Sequence, residues 1–290
     1  MPSFIRNLSG GKAISGGALA PRSRRGNTGQ VDSYWSGGGG PNFPTTLEYL
    51  VVAGGAGGGQ EENDSGGGGG GGGGFRTNVV GATSGAGCGA EAAFVVAKGT
   101  AYTVTIGAAV SVNTSGNSTT FSTVTSIGGG RGGLGGGRSA DSGGSGGGGG
   151  SNGSGAGSGT ACQGSSGAGE GGNQAGGGGG AGSTWLSGND RNGRDGQTTS
   201  ITGTSQYMSA GGGGGCKPGY VCGSNGTGSG NYGSGGAGRR SGGGGGVQGI
   251  VVLRYPDSFD AAVATTGSPS VTLTGGYRIY TFTASGSITF

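Results

Sequence analysis

Histidine is absent from all 290 residues, and charged side chains number only 28. Without histidine, neither a Ser/His/Asp nor a Cys/His arrangement can be assembled. Large apolar residues are also scarce. Leu, Ile, Val and Phe together supply 41 residues, well below the roughly 20% of a chain that a conventional core requires. Long apolar runs are missing too. Neither Tyr49–Ala53 nor Ala92–Ala97 approaches the ~20 residues that cross a bilayer, so no membrane insertion is expected. Met1–Arg25 carries no apolar stretch of the length found in a secretory signal, which leaves a protein expected to act inside a cell or to be released by lysis. Seven prolines, with glycines that keep no third-residue register, exclude a collagen triple helix.

What fills the sequence is glycine, at 89 of 290 residues against a usual share of roughly 7%. Such a chain is either disordered or a fold in which glycine backbone is itself the packing material. The charge is placed unevenly. Residues 1–45 hold Arg6, Lys12, Arg22, Arg24 and Arg25 against Asp32, a local +4, while the remaining 11 bases and 11 acids cancel. The basic arm suits an acidic partner or nucleic acid; a solvated tether is the simpler reading. Four cysteines, Cys88, Cys162, Cys216 and Cys222, are too few to staple the chain, and free thiols are the default. Cys216 and Cys222 could instead close a small loop as a disulfide, and their spacing suits zinc poorly.

Composition divides the chain into four regions: the arm at 1–45, a mixed segment at 46–127, a glycine-dense segment at 128–246 and a C-terminal segment at 247–290. Strand-like pieces occupy the second and fourth. They are Thr46–Ala53, Ala92–Ala97, Tyr102–Ile106 with its period-2 alternation, Phe121–Ile127 and Gly249–Pro256. Gly275-Gly276 between Val271–Thr274 and Tyr277–Phe282 is a two-residue hairpin signal. Pairing Thr274 with Tyr277 puts Val271 and Leu273 on one face with Tyr280 and Phe282. A second turn at Ser285-Gly286 would return Ile288 and Phe290 alongside. No window has a helical period.

The third region decides the architecture. It holds 53 glycines in 119 residues and four of the 41 large aliphatic and Phe residues. Ordering costs roughly 1–2 kcal/mol of backbone entropy per residue, and a hydrogen bond returns about 0.5–1.5 kcal/mol. The segment therefore orders only on a template. Its runs of five glycines (146–150, 176–180, 211–215, 242–246), with a run of nine at 66–74, can adopt threefold extended helices whose backbone groups point outward. Lacking Cβ atoms, such helices can pair laterally and satisfy those groups. The expected fold is all-β with a polyglycine-II helical bundle and essentially no α-helix.

Chemistry finds little foothold. Glu61-Glu62-Asn63-Asp64 reads as a solvated acidic loop. Arg131-Gly-Gly is a lone arginine-glycine box where RNA binding would want repeats with stacking aromatics, so nucleic acid is an unlikely partner. No catalytic residues, cofactor or metal are expected. Trp185, Tyr207, Tyr220 and Tyr232 stand in connectors where almost no core exists to bury them. Aromatics on rigid loops suit recognition of a protein or glycan surface; equally, they could cap the bundle or pack between subunits.

Two stretches carry a family likeness: Leu47–Gln60 (LEYLVVAGGAGGGQ), leading through a glycine run to Phe75-Arg76-Thr77, and Gly249–Phe290. With Asn117–Phe121 and Tyr207–Gly215, they resemble the glycine-rich domain of tailed-bacteriophage fibre and related virion proteins, many from phages of cyanobacteria. The likeness spans residues 46–290 and leaves the arm unmatched. It implies a non-enzymatic virion component: a tail-fibre or tail-associated protein taking part in host attachment, whose loops meet a host-surface receptor such as a glycan. The arm would then bind other virion proteins, and the assembly would be a homotrimer. A capsid decoration or head-fibre protein is the alternative. An ice-binding glycine protein would need flat repetitive faces and secretion, and neither is evident.

Overall fold

Tyr49–Val52 has no polar face, so a strand here must be covered on both sides. The computed structural model, which describes residues 42–60, 64–182, 190–239 and 243–290, places it at the centre of a sheet. The strands are β1 Thr46–Val52, β2 Phe75–Thr77, β3 Thr83–Ser84, β4 Cys88–Gly89 and β5 Phe94–Val95. Then come β6 Ala101–Thr105, β7 Thr119–Phe121, β8 Val124–Ser126, β9 Gln197–Thr199 and β10 Gln206–Met208. The C-terminal set is β11 Ile250–Pro256, β12 Ala264–Thr266, β13 Ser270–Thr274, β14 Tyr277–Phe282 and β15 Gly286–Thr289. Among the described residues one three-residue 3-10 turn and no α-helix accompany them, so the chain is essentially all-β. All of this lies in one unit, Phe43–Phe290.

One sheet runs β13-β14-β11-β1-β2, with β5 also on β1; a second runs β12-β15-β6-β7-β8. Leu47, Tyr49 and Val51 of β1, with Val251, Leu253 and Tyr255 of β11, face the second sheet. There they bury Val104, Phe121, Ile288 and the last residue, Phe290. The alternate residues Leu50, Val52, Ile250 and Val252 face the other way, onto Phe75, Ile201 and Met208. Both faces of β1 and β11 are thus core, as their unbroken apolar runs require.

The C-terminal hairpin has the expected register, Thr274 opposite Tyr277 and Val271 opposite Tyr280. Gly275 and Gly276 sit at φ 59° and 80°, the pair of left-handed positions a type I′ turn needs. The outcome differs in two places. Phe121–Ile127 is not one strand: a turn with Ser122 at φ 51° splits it into the β7–β8 hairpin. The chain after β14 does not fold back alongside it either. It crosses to the second sheet, where β15 pairs with β6 and β12. Ile288 and Phe290 still meet Phe282, but from across the core.

The glycine segments continue these strands. Val52 pairs with Phe75 inside the first sheet. Beyond it the N–H groups of Ala53, Ala56 and Gly59 donate to the carbonyls of Gly74, Gly71 and Gly68. The contact recurs at every third residue, not every second as in a strand pair. The run 66–74 repeats this with other neighbours. Gly68, Gly71 and Gly74 donate to Gly133, Gly130 and Ile127, Gly69 and Gly72 to Gly176 and Gly179, and Gly70 and Gly73 to Gly236 and Gly233. Its carbonyls also accept from Gly148 and Ser145, and from Gly212 and Gly215. Six segments therefore surround one glycine run, each touching it with a period of three. At many of these contacts a side chain has no room: a Cβ on Gly68, Gly70 or Gly178 would overlap the carbonyl of Gly148, Ala56 or Gly70. The template is local, because β1, β8 and β10 lead straight into segments of the set and 66–74 leads into β2.

Candidate functional site

The run 66–74 has two unlike ends. At Gly73 and Gly74 its neighbours are Ala53, Ile127 and Gly233, the residues next to the sheets. At Gly66 and Gly67 they are Ser151 and Gly215, where connectors turn back. The two ends stand about 20 Å apart for an extended chain.

The best-built feature at the second end is the loop Cys216–Cys222, closed by a disulfide with S–S 2.01 Å. Neighbouring connectors hold its frame. Lys217 N–H donates to Asn173 O at 3.0 Å and Tyr220 N–H to Lys217 O at 3.2 Å, closing a turn. Lys217 Nζ donates to Asn152 Oδ1 at 2.8 Å, Asn173 Nδ2 to the Tyr220 hydroxyl at 2.9 Å, and Gln174 Nε2 to Val221 O at 3.2 Å. Its apolar groups nevertheless face solvent, with Tyr220 50% and Val221 69% exposed. A fixed frame under exposed aromatic and aliphatic surface offers contact area with little entropy left to lose.

The other aromatic candidates do not join it. Tyr207 is exposed on β10 at the sheet end, where its carbonyl accepts from Asn231 Nδ2 at 2.7 Å. Tyr232 lies close by, its carbonyl accepting from Ser209 N–H, but its ring packs partly buried against the Leu50–Met208 core. That ring belongs to the core and is not a presented surface. Trp185 and the basic residues Arg6, Lys12, Arg22, Arg24 and Arg25 lie outside the described residues, as do Glu61, Glu62 and Asn63.

The cysteines correct the free-thiol expectation. All four are paired, and Cys88 bonds Cys162 across 74 residues. No spacing signal announces that second pair, because its partners meet only through the β3–β4 turn and the loop after 160.

Three pairs of charges are engaged in structure. Arg131, the lone arginine-glycine box, pairs with Asp141 at 3.0 Å and donates to the carbonyls of Gly132 and Ser139. Burial pushes the Asp141 carboxyl upward, but hydrogen bonds from Arg131 and Ser115 outweigh it and hold the group below its ordinary range. Arg76 clasps Glu91 through Nε and Nη2 at 2.7 and 2.6 Å, and Tyr49 donates its hydroxyl to the same carboxylate at 2.7 Å. Burial, reinforced by Glu91, pushes the Tyr49 phenol well above its ordinary value. A groove of about 450 Å³ borders this cluster. Its Arg254 is bound to Glu48 at 2.6 Å and lies 4.4 Å over the Tyr277 ring, so its charges are already paired. Among the described residues no group of three metal-ligating side chains occurs, and no helix is long and apolar enough to cross a membrane.

These features define a class: an all-β body whose second structural material is interlocked glycine backbone. The family model of the glycine-rich domain matches residues 41–256, and the chain belongs to that family. No curated protein matches it.

Proposed function

We propose that the protein is a non-enzymatic bacteriophage virion component, a tail-fibre or tail-associated protein that takes part in host attachment. In this reading the glycine segments form a polyglycine-II-type bundle, a stiff spacer between the β-sandwich and a recognition end. The three-residue period of the backbone pairing and the six neighbours of 66–74 support the bundle. One observation carries the functional reading. The disulfide-closed loop presents Tyr220 and Val221 on a fixed frame at the end away from the sheets. The loop's own cation, Lys217, is bound to Asn152, which favours contact with an uncharged surface such as a glycan or a protein loop.

Purified protein should compete with phage particles for host cells and slow their adsorption. Tyr220→Ala should lose most of that competition while its melting temperature stays within about 2 °C, because the side chain is half exposed. Wild-type protein that never binds host cells would refute attachment. Immunogold label confined to the head would move the protein to the capsid.

A further inference from the structure

Natural sheets protect their edges with charges, prolines, bulges or covering loops. Among the described residues the outer edge of the first sheet, β13, carries no charge, proline or bulge along its length, and the turn at Gly203 reaches it only at Thr274. Its sequence, Ser270-Val271-Thr272-Leu273-Thr274, carries no charge, and Pro269 stands just before it. All five residues are exposed, Val271 by 50% and Leu273 by 59%. These two lie on the core face of the sheet, cross-strand from Tyr280 and Arg278. The core stops one strand short of its own apolar residues. The second sheet ends on the same side. Its edge strand β12 joins β13 through residues 267–269, and the exposed Val263 adjoins it.

The hairpin register fixes which backbone groups are free. Thr274 and Tyr277 flank a two-residue turn and form its closing hydrogen-bonded pair. Alternation then turns Thr272 and Ser270 inward to β14, and the N–H and C=O groups of Val271 and Leu273 outward.

We propose that this edge is a self-association surface on which a second copy of the chain pairs its own β13, antiparallel, about a twofold axis at Thr272. In that register Val271 of one copy lies opposite Leu273 of the other, and the reverse. The outward groups of both residues exchange four main-chain hydrogen bonds, and each exposed apolar side chain meets an apolar partner. An uncharged strand brings no like-charge repulsion to the seam. The contact is isologous and closes at two copies, unlike the trimer that the family likeness implies. It is smaller than the standard interface of about 1,600 Å², so association in the micromolar range is expected.

The full chain tests this directly. Sedimentation velocity from about 1 to 200 µM should show a reversible monomer–dimer equilibrium, and Leu273→Lys should weaken it at least tenfold with an unchanged melting curve. Register is read by cross-linking, since an introduced cysteine is the single free thiol in a chain whose own four are paired. Thr272→Cys should oxidise to a covalent dimer. Ser270→Cys should not, because its two copies stand about 14 Å apart in this register. Wild-type protein that stays monomeric or forms trimers, Leu273→Lys that associates like wild type, or equal cross-linking at the two positions would each overturn the proposal.

Discussion

Gly70 accepts a hydrogen bond from Gly212 N–H and donates one to Gly236 O, and a methyl group added to it would occupy the place of Ala56 O. The obstacle is backbone fixed by its own hydrogen bonds, so no rotamer change can make room. Gly70→Ala should therefore cost more than the ~1–3 kcal/mol typical of an overpacked core. Gly89→Ala, with nothing within 4 Å of the added atom, should be near neutral, and thermal melts of the two variants check the contrast. At Asp141 the depressed carboxyl pKa gives a signed prediction. The Arg131–Asp141 pair contributes fully above the ordinary aspartate value of 3.8 and is lost as pH falls through the lower folded value. Asp141→Asn should lower the melting temperature at pH 7 by about 2 °C or less, since the side chain is 44% exposed. The difference should vanish in strong acid; a difference independent of pH would show that the pair is not its source.

Among the elements, the two disulfides close loops of very different length. Cys88 and Cys162 are 74 residues apart and Cys216 and Cys222 six. Chain entropy alone then assigns about 4 kcal/mol to the first and about 2 kcal/mol to the second. Cys88→Ser/Cys162→Ser should lower stability to denaturant the more, while Cys216→Ser/Cys222→Ser should spare the fold and abolish competition for host cells. The sequence made the Gly275-Gly276 hairpin legible because turn chemistry and alternation coincide within a dozen residues. It could not show that β15 changes sheets: Ser285-Gly286 reads as a turn in either case, and the choice depends on β6, some 180 residues earlier. Strands β2, β9 and β10 escaped notice because three residues are too few to carry a period. Tyr220 was legible as a candidate from its bare surroundings. The frame beneath it was not, since Asn152 and the Asn173-Gln174 pair come from two other connectors.

For the whole molecule, one long-range arrangement makes the composition workable. The β-sandwich supplies the apolar core that 41 large residues can build, and its strands run on into glycine segments whose register is already set. Each added hydrogen bond then comes without a separate nucleation cost, so a segment that composition alone would class as a flexible linker can be ordered. The central claim is that this order extends through the glycine, and amide hydrogen exchange measures it residue by residue. Gly68–Gly74 and their partners at 130–133, 145–149, 176–180 and 211–215 should exchange as slowly as the core strands β1 and β11. Random-coil exchange rates at those glycines, beside protected β1 and β11, would contradict the account.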